Sequence, residues 1–169
     1  MSEIRESILS VRTALASKPD AGPAPDRPAV AMIEDGLSCR IEGGDGWAVV
    51  TDMPAAVGGG AAAPSPAWLV RAALASCTAT AIAMRAAELE IELTRLEVTA
   101  ESETDMRGLL GAGDGINPGP ATARLRVELA AGGADEQRLD ELVRWADSHS
   151  PVCDALRRAV PVELEIAVG

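Results

Sequence analysis

The sequence has no phenylalanine and no tyrosine, and its three tryptophans are the only aromatic residues among 169 positions. Because 47% of the residues are still hydrophobic, the chain has enough apolar material for a folded core, which excludes a disordered protein. The length fits one domain better than two. Its core must be packed from the side chains of alanine, leucine, valine, isoleucine and methionine.

Basic residues are also scarce. Lys18 is the only lysine, and 15 basic residues face 26 acidic ones, which gives a formal net charge of -11. A protein needs a basic surface to bind nucleic acid or an anionic membrane, so we expect neither as a partner. The start of the chain carries Glu3 and Glu6 where a secretory signal has basic residues, and no run of about 18 apolar residues is free of charge. We therefore expect a cytoplasmic protein.

Cysteine is limited to three residues, Cys39, Cys77 and Cys153. Cytosolic cysteines are usually reduced, and an odd number fits neither a disulfide framework nor a four-ligand zinc site. The thiols are thus expected to serve redox chemistry or packing, and we expect no cofactor.

Residue periodicity predicts a mixed α+β fold. Residues 2–17 have the apolar spacing of a short amphipathic helix, and residues 18–28 form a proline-rich linker. We therefore divide the chain into an N-terminal segment, residues 1–27, and a domain, residues 28–169. The domain pattern predicts a six-stranded antiparallel arrangement with two principal helices and one short helix. The predicted strands lie near 30–34, 37–41, 47–51, 96–101, 124–129 and 162–168, and the helices span about 66–89, 135–148 and a turn from Ser150.

The helix beginning at Pro66 is apolar almost all round, which predicts burial on most sides. The glycine-rich loop before it, around Gly58, lacks a Lys-Ser/Thr pair and a preceding parallel strand, so a hinge or site edge is favoured over phosphate binding.

Cys77 lies in the middle of that helix. A reactive thiolate needs a nearby cation or a helix N-terminus, and this position offers neither. Arg71 is six residues back, roughly 120° around the helix, and points elsewhere. An activating arginine must then come from another element, with Arg40 or an arginine of a second subunit as candidates. The alternative is that Cys77 is simply a small buried hydrophobe.

Cys153 has a different setting. Ser150 as N-cap and Pro151 at the first position place it third in a short helix, where free amides stabilise a thiolate. A chance cysteine in a capped turn is the other interpretation. His149, the only histidine, lies four residues before Cys153 and could form a three-ligand metal site with the two cysteines. Because Pro151 interrupts the helix and no CxxC or HxxxH motif is present, we expect no metal.

Several segments together resemble a known family. They are Asp52-Met53-Pro54, Gly58-Gly59-Gly60, Ala63 to Val70, Ala73 to Thr80 with its Leu-Ala-Ser-Cys-Thr, Asp105 to Gly108, and His149 to Leu156 with its Ser-Pro-Val turn. Over about residues 28–168 the chain resembles the OsmC/Ohr family, which comprises osmotically inducible protein C and organic hydroperoxide resistance proteins. The resemblance implies an OsmC-like α+β fold with a buried central helix and an intertwined homodimer with active sites at the subunit interface.

The resemblance also implies a chemistry. Cys77 matches the thiol that attacks the O–O bond of an organic hydroperoxide and becomes a sulfenic acid, and a second cysteine then closes a disulfide that a dithiol reductant reopens. In this chain Ser150 occupies the usual place of the second cysteine, and Cys153 follows three residues later on much the same side of the turn. Ala67 stands where the hydroperoxidase branch has a glutamate, and the turn around Gly44 lacks that branch's arginine.

Two functional hypotheses follow. The first is a thiol-dependent peroxidase in which Cys77 reduces organic hydroperoxides, resolved by Cys153 and supported by Arg40, His149 or Ser150. The alternative, motivated by the missing glutamate and arginine, is a non-catalytic dimer that binds a small hydrophobic ligand in the interface cleft.

Overall fold

The structure is a computed structural model that describes residues 2–18 and 20–169. Met1 and Pro19, both in the predicted N-terminal segment 1–27, lie outside the described residues. The fold is mixed α+β, as predicted. Its elements are α1 (Ser2–Ala16), β1 (Ala29–Asp35), β2 (Ser38–Gly43), β3 (Ala48–Thr51), α2 (Pro66–Glu88), β4 (Glu92–Glu103), α3 (Met106–Leu110), β5 (Thr122–Gly132), α4 (Glu136–Ser148) and α5 (Pro151–Arg157).

The described strands form two small antiparallel sheets, β1-β2-β3 and β4-β5, so the prediction of a six-stranded arrangement is wrong for the single chain. The predicted closing strand over 162–168 is absent, because residues after the last turn of α5 form neither helix nor strand. Val162, Leu164, Ile166 and Val168 alternate with polar residues but are 76–91% exposed. Alternation makes a segment suitable for a strand, yet a strand also needs a paired edge, and this segment has none.

The chain divides into two compact units. One consists of residues 11–72, and the other combines the first residues up to Ser10 with Ala73–Gly169. In the first unit β2 pairs with both neighbours, with Cys39 opposite Ile33 of β1 and Thr51 of β3. The tight β1–β2 turn is closed by Gly36, whose φ of 53° lies in the left-handed region that glycine tolerates.

The glycine-rich loop after β3 is held by the buried carboxylate of Asp52. Its Oδ1 accepts the Met53 N–H at 2.7 Å and its Oδ2 accepts the Ala62 N–H at 3.0 Å. A Cβ at Gly59 would overlap the Met53 carbonyl, so the backbone approaches too closely there for any other residue. Gly59 therefore allows the backbone of this loop to pack closely against Met53.

The core of the second unit forms where α2 meets α4 and the β4-β5 sheet. Its buried members include Ile82 and Ala86 of α2 and Leu142 and Ala146 of α4, and apolar side chains of β4 and β5 pack against them. Leu74, Thr78, Ile82 and Ala86 recur every four residues, so one stripe of α2 is buried. The expectation of a helix buried on most sides is wrong for the single chain. Trp68, Val70 and Met84 are 43–47% exposed, since an apolar composition does not by itself supply covering surfaces.

Three further features concern the helices. Arg5 of α1 donates to the Glu88 carbonyl at 3.4 Å and lies 3.9 Å from the Glu90 carboxylate, which ties the first turns of α1 to the end of α2. The short α3, capped by Asp105, lies where the sequence predicts neither a helix nor a strand.

By length and composition α2 would be long and apolar enough to span a membrane, and a single helix of this kind is weak evidence for a span.

Candidate functional site

The candidate site forms where the first turn of α5 lies against the middle of α2. Ser150 is the N-cap of α5, as predicted, and Pro151 occupies the first helical position. The Ser150 Oγ accepts the N–H of Cys153 at 3.4 Å. Proline needs no hydrogen bond at that position and presets the helical φ, so this sequence starts the turn at one defined residue.

Cys77 is half-buried, and its sulfur is contacted by Ser150. The Ser150 Oγ donates to Cys77 Sγ at 3.3 Å, and Ser150 is only 1% exposed. The hydroxyl that caps α5 is therefore also the group that touches the sulfur of α2.

Cys153 is buried, with 2% exposure, and its sulfur lies 3.6 Å from Thr78 Oγ1. Thr78 follows Cys77 directly on α2, and its hydroxyl donates to the Leu74 carbonyl at 2.8 Å. The fold thus places Cys153 against the residue next to Cys77. All three cysteines are free thiols in this structure.

A cavity of about 750 Å³ lies beside Cys153. Arg157, four residues after Cys153, lines it and makes two 2.9 Å hydrogen bonds to the Asp147 carboxylate. Those hydrogen bonds, and then the charge of Asp147, raise the pKa of Arg157 above its ordinary value. Both apolar and charged side chains line the cavity; the lining residues are Leu74, Thr78, Ala123, Arg124, Leu125, Val127, Asp140, Val143, Arg144, Asp147, Cys153, Leu156 and Arg157.

Arg40 and Cys39 belong to the other compact unit. The Arg40 Nε donates to the Glu42 carboxylate at 2.7 Å, and this hydrogen bond with the charges of Glu42 and Glu34 raises the pKa of Arg40. The guanidinium is therefore neutralised by a carboxylate on its own strand.

The His149 side chain contacts Trp145 near the end of α4. Its ring stacks on Trp145 with 4.0 Å between centroids, and its Nδ1 lies 2.8 Å from the Trp145 carbonyl oxygen. The same Nδ1 lies 2.9 Å from the Ser148 Oγ. Among residues 2–18 and 20–169, no group of three or more His, Cys, Asp or Glu side chains is arranged to hold a metal ion.

The structure brings the predicted residues Cys77, Ser150 and Cys153 together, and it adds Thr78 and Arg157, which the sequence analysis did not predict. The available signals were weak. Thr78 directly follows the candidate cysteine, and Arg157 lies one helical turn after Cys153, on the same face.

A model of the OsmC-like protein family matches residues 58–165. No curated protein matches the sequence significantly. An OsmC-like protein from Mycoplasma pneumoniae has a similar fold, with a TM-score of 0.67 at 14% identity over 80% of this chain and 90% of that chain.

Two organic hydroperoxide resistance proteins are also similar in structure. The one from Legionella pneumophila is 25% identical over 87% of this chain and 100% of its own, with a TM-score of 0.57. The one from Bacillus subtilis, OhrB, is 24% identical over 83% and 97%, with a TM-score of 0.52. Because the family model covers more than half of the sequence, including Cys77, Ser150 and Cys153, this chain belongs to the OsmC-like protein family.

Proposed function

We propose that this protein is a cytoplasmic, thiol-dependent peroxidase that reduces organic hydroperoxides, with Cys77 as the nucleophile and Cys153 as the second thiol. The observation that carries the proposal is the arrangement around Ser150, whose hydroxyl contacts both the Cys77 sulfur and the Cys153 amide. A capped turn that carries one thiol and contacts the sulfur of another is suited to a two-step redox cycle.

In the first step the Cys77 thiolate attacks the terminal oxygen of the hydroperoxide. An S–O bond forms, the O–O bond breaks, and the alkoxide leaves and takes a proton from water to become an alcohol. Cys77 is now a sulfenic acid, oxidised by two electrons, and the hydroperoxide has been reduced by the same two electrons.

In the second step the Cys153 sulfur attacks the Cys77 sulfur. An S–S bond forms and the sulfenic hydroxyl leaves as water together with the Cys153 proton. A dithiol reductant then reopens the disulfide by thiol exchange and is itself oxidised to a disulfide. Because the Cys153 sulfur lies against Thr78, it must turn toward Cys77 for this step.

The family membership and the two structurally similar hydroperoxide resistance proteins support a peroxide-related role. We further propose that residues 28–169 form the family domain, with 1–27 as an appended segment, and that the working form is an intertwined homodimer. The apolar residues left exposed on α2 and after α5 are the surfaces that a second copy would cover.

The test is the rate of organic hydroperoxide reduction in the presence of a dithiol. Cys77→Ser should lose essentially all activity. Cys153→Ser should retain the first turnover and lose dithiol-dependent cycling. Cys39→Ser is the matched control, because Cys39 lies in the other compact unit, and it should behave as the parent. A Cys77→Ser variant that reduces the hydroperoxide at the parent rate would refute the proposal.

A further inference from the structure

We propose that the cavity beside Cys153 is a modification site, at which Cys153 forms a mixed disulfide with a small thiol that carries a carboxylate. The co-reactant is the oxidised, disulfide form of such a thiol. This reaction goes beyond the proposed peroxidase function, because no peroxide takes part in it and Cys77 is not needed. Its consequence for the proposed cycle is that a modified Cys153 has no free thiol for the second step.

The cavity brings a small molecule to Cys153 and not to Cys77. Cys153 and Thr78 both line it, and the Cys153 sulfur lies 3.6 Å from Thr78 Oγ1. Cys77 lies outside the lining, and its sulfur is contacted by Ser150. The volume of about 750 Å³ lies within the range of small-molecule sites. Since Cys153 is only 2% exposed, a reagent reaches its sulfur by entering the cavity.

Positive charge predominates among the charged residues of the lining, although the whole chain has a net charge of -11. Arg144 is paired with Asp140, and Arg157 is paired with Asp147. Arg124 of β5 makes no ion pair with any residue among 2–18 and 20–169. The excess positive charge of the cavity therefore belongs to Arg124.

The Arg124 guanidinium is suited to a carboxylate, which it can bind through two parallel hydrogen bonds. Glu101 lies opposite Arg124 in the β4-β5 register, but the two side chains form no ion pair. Arg157 lies one helical turn after Cys153 and is close to it. After the hydrogen bonds and charge of Asp147, the charge of Cys153 also raises the pKa of Arg157. A thiol attached to Cys153 therefore shares the cavity with two cations.

The exchange needs no redox partner besides the small disulfide. The Cys153 sulfur attacks one sulfur of that disulfide, so a new S–S bond forms at Cys153 while the S–S bond of the reagent breaks. The departing sulfur takes up the proton that Cys153 loses and leaves as a free thiol. Cys153 is oxidised, the departing half of the reagent is reduced, and exchange with a further thiol reverses the modification.

The first experiment measures the rate of mixed-disulfide formation at Cys153 by peptide mass spectrometry. It uses a Cys77→Ser background, in which Cys77 cannot displace the added thiol. Three reagents of similar size differ in charge: the disulfide of mercaptoacetate is anionic, hydroxyethyl disulfide is neutral and cystamine is cationic. At low ionic strength Arg124→Gln should slow the anionic reagent about fivefold, speed the cationic reagent and leave the neutral one unchanged.

Arg126→Gln is the matched control, because Arg126 lies on the same strand, is exposed and lies outside the cavity lining. It should leave all three rates unchanged. Cys39, in the other compact unit, reports the intrinsic reactivity of each reagent within the same molecule. An unchanged anionic rate in Arg124→Gln, or an equal effect of Arg126→Gln, would overturn the preference for a carboxylate.

The second experiment tests whether the reagents reach Cys153 through the cavity. Ala123 lines the cavity on β5 and is exposed, so Ala123→Trp places a large side chain there. It should slow all three reagents at Cys153 alike and leave Cys39 unaffected. Ala121→Trp is the control, since Ala121 is exposed and lies outside the lining.

An unchanged rate at Cys153 in Ala123→Trp, or no mixed disulfide at Cys153 with any of the three reagents, would overturn the modification site. Because these reactions use no peroxide and proceed without the Cys77 thiol, their outcome is independent of whether Cys77→Ser abolishes hydroperoxide reduction. A failure of the modification site is therefore distinguishable from a failure of the proposed function.

Discussion

At the scale of single residues, one hydroxyl connects the two halves of the candidate site. Ser150 caps α5 through the Cys153 amide and donates to the Cys77 sulfur. The sequence predicts the cap, because Ser-Pro at a helix start has a specific geometric meaning. It does not predict the sulfur contact or the place of Thr78, because these depend on where the α5 turn lies against α2. That placement is determined by tertiary packing.

Two exposed carboxylates should titrate at lower pH than ordinary aspartates. The pKa of Asp154 is lowered first by its hydrogen bond from Arg158, and the pKa of Asp105 by hydrogen bonds from the Arg107 side chain and amide. A lowered pKa means that the stabilisation is complete above the ordinary value of about 3.9 and is lost as pH falls through the folded value. Carboxyl NMR titration should show both shifts.

Each of these pairs provides the control for the other. Arg158→Gln should return Asp154 to an ordinary titration and leave Asp105 unchanged, and Arg107→Gln should do the reverse. Since both pairs are exposed, added salt should weaken the shifts. An ordinary titration of Asp154 in the parent protein would contradict the structure.

At the scale of elements, the sequence predicts most of the fold. The strands predicted near 30–34, 37–41 and 47–51 correspond to β1, β2 and β3, and the helix predicted over about 135–148 corresponds to α4. The secondary structure differs from the prediction in two segments. The segment after α5 has strand alternation but no paired edge, and α3 is too short for apolar periodicity to reveal it. Local patterns identify segments suited to an element, whereas partners decide whether the element forms.

Gly59 is the position in the loop after β3 where any side chain should be disruptive. A methyl group there must displace the Met53 carbonyl, which accepts the Ala61 N–H at 3.1 Å. We expect Gly59→Ala to lower the free energy of unfolding by about 1–3 kcal/mol in denaturant titrations. Gly119→Ala is the control, since an added Cβ there meets nothing within 4 Å. Equal stabilities for these two variants would show that the loop packs differently.

At the scale of the whole molecule, the single chain leaves much apolar surface uncovered. Ile166 and Leu164 are 76% and 83% exposed, beyond what an isolated soluble protein usually presents in one segment. A long apolar α2 with only one buried stripe has the same implication. The sequence predicts apolar faces correctly, but it cannot assign them to the chain's own core or to a second copy.

The proposed homodimer makes residues 160–169 part of an interface. Light scattering after size-exclusion chromatography should give twice the 17.4 kDa chain mass for the parent. Ile166→Lys should shift the population toward monomer, because a buried lysine at an interface costs far more than an exposed one. Glu163→Lys makes the same side chain at a polar position of the segment and should remain dimeric. A monomeric parent would contradict the proposed assembly.

The most direct test of the account is mass spectrometry of the fully reduced protein after one equivalent of an organic hydroperoxide, with each thiol read separately. We predict rapid loss of the Cys77 thiol, a disulfide between Cys77 and Cys153, and an unmodified Cys39. In Cys153→Ser the sulfenic acid of Cys77 should persist and be trapped by a dimedone-type reagent. A Cys77 thiol that survives the hydroperoxide unchanged would contradict the central claim that this site reduces peroxides.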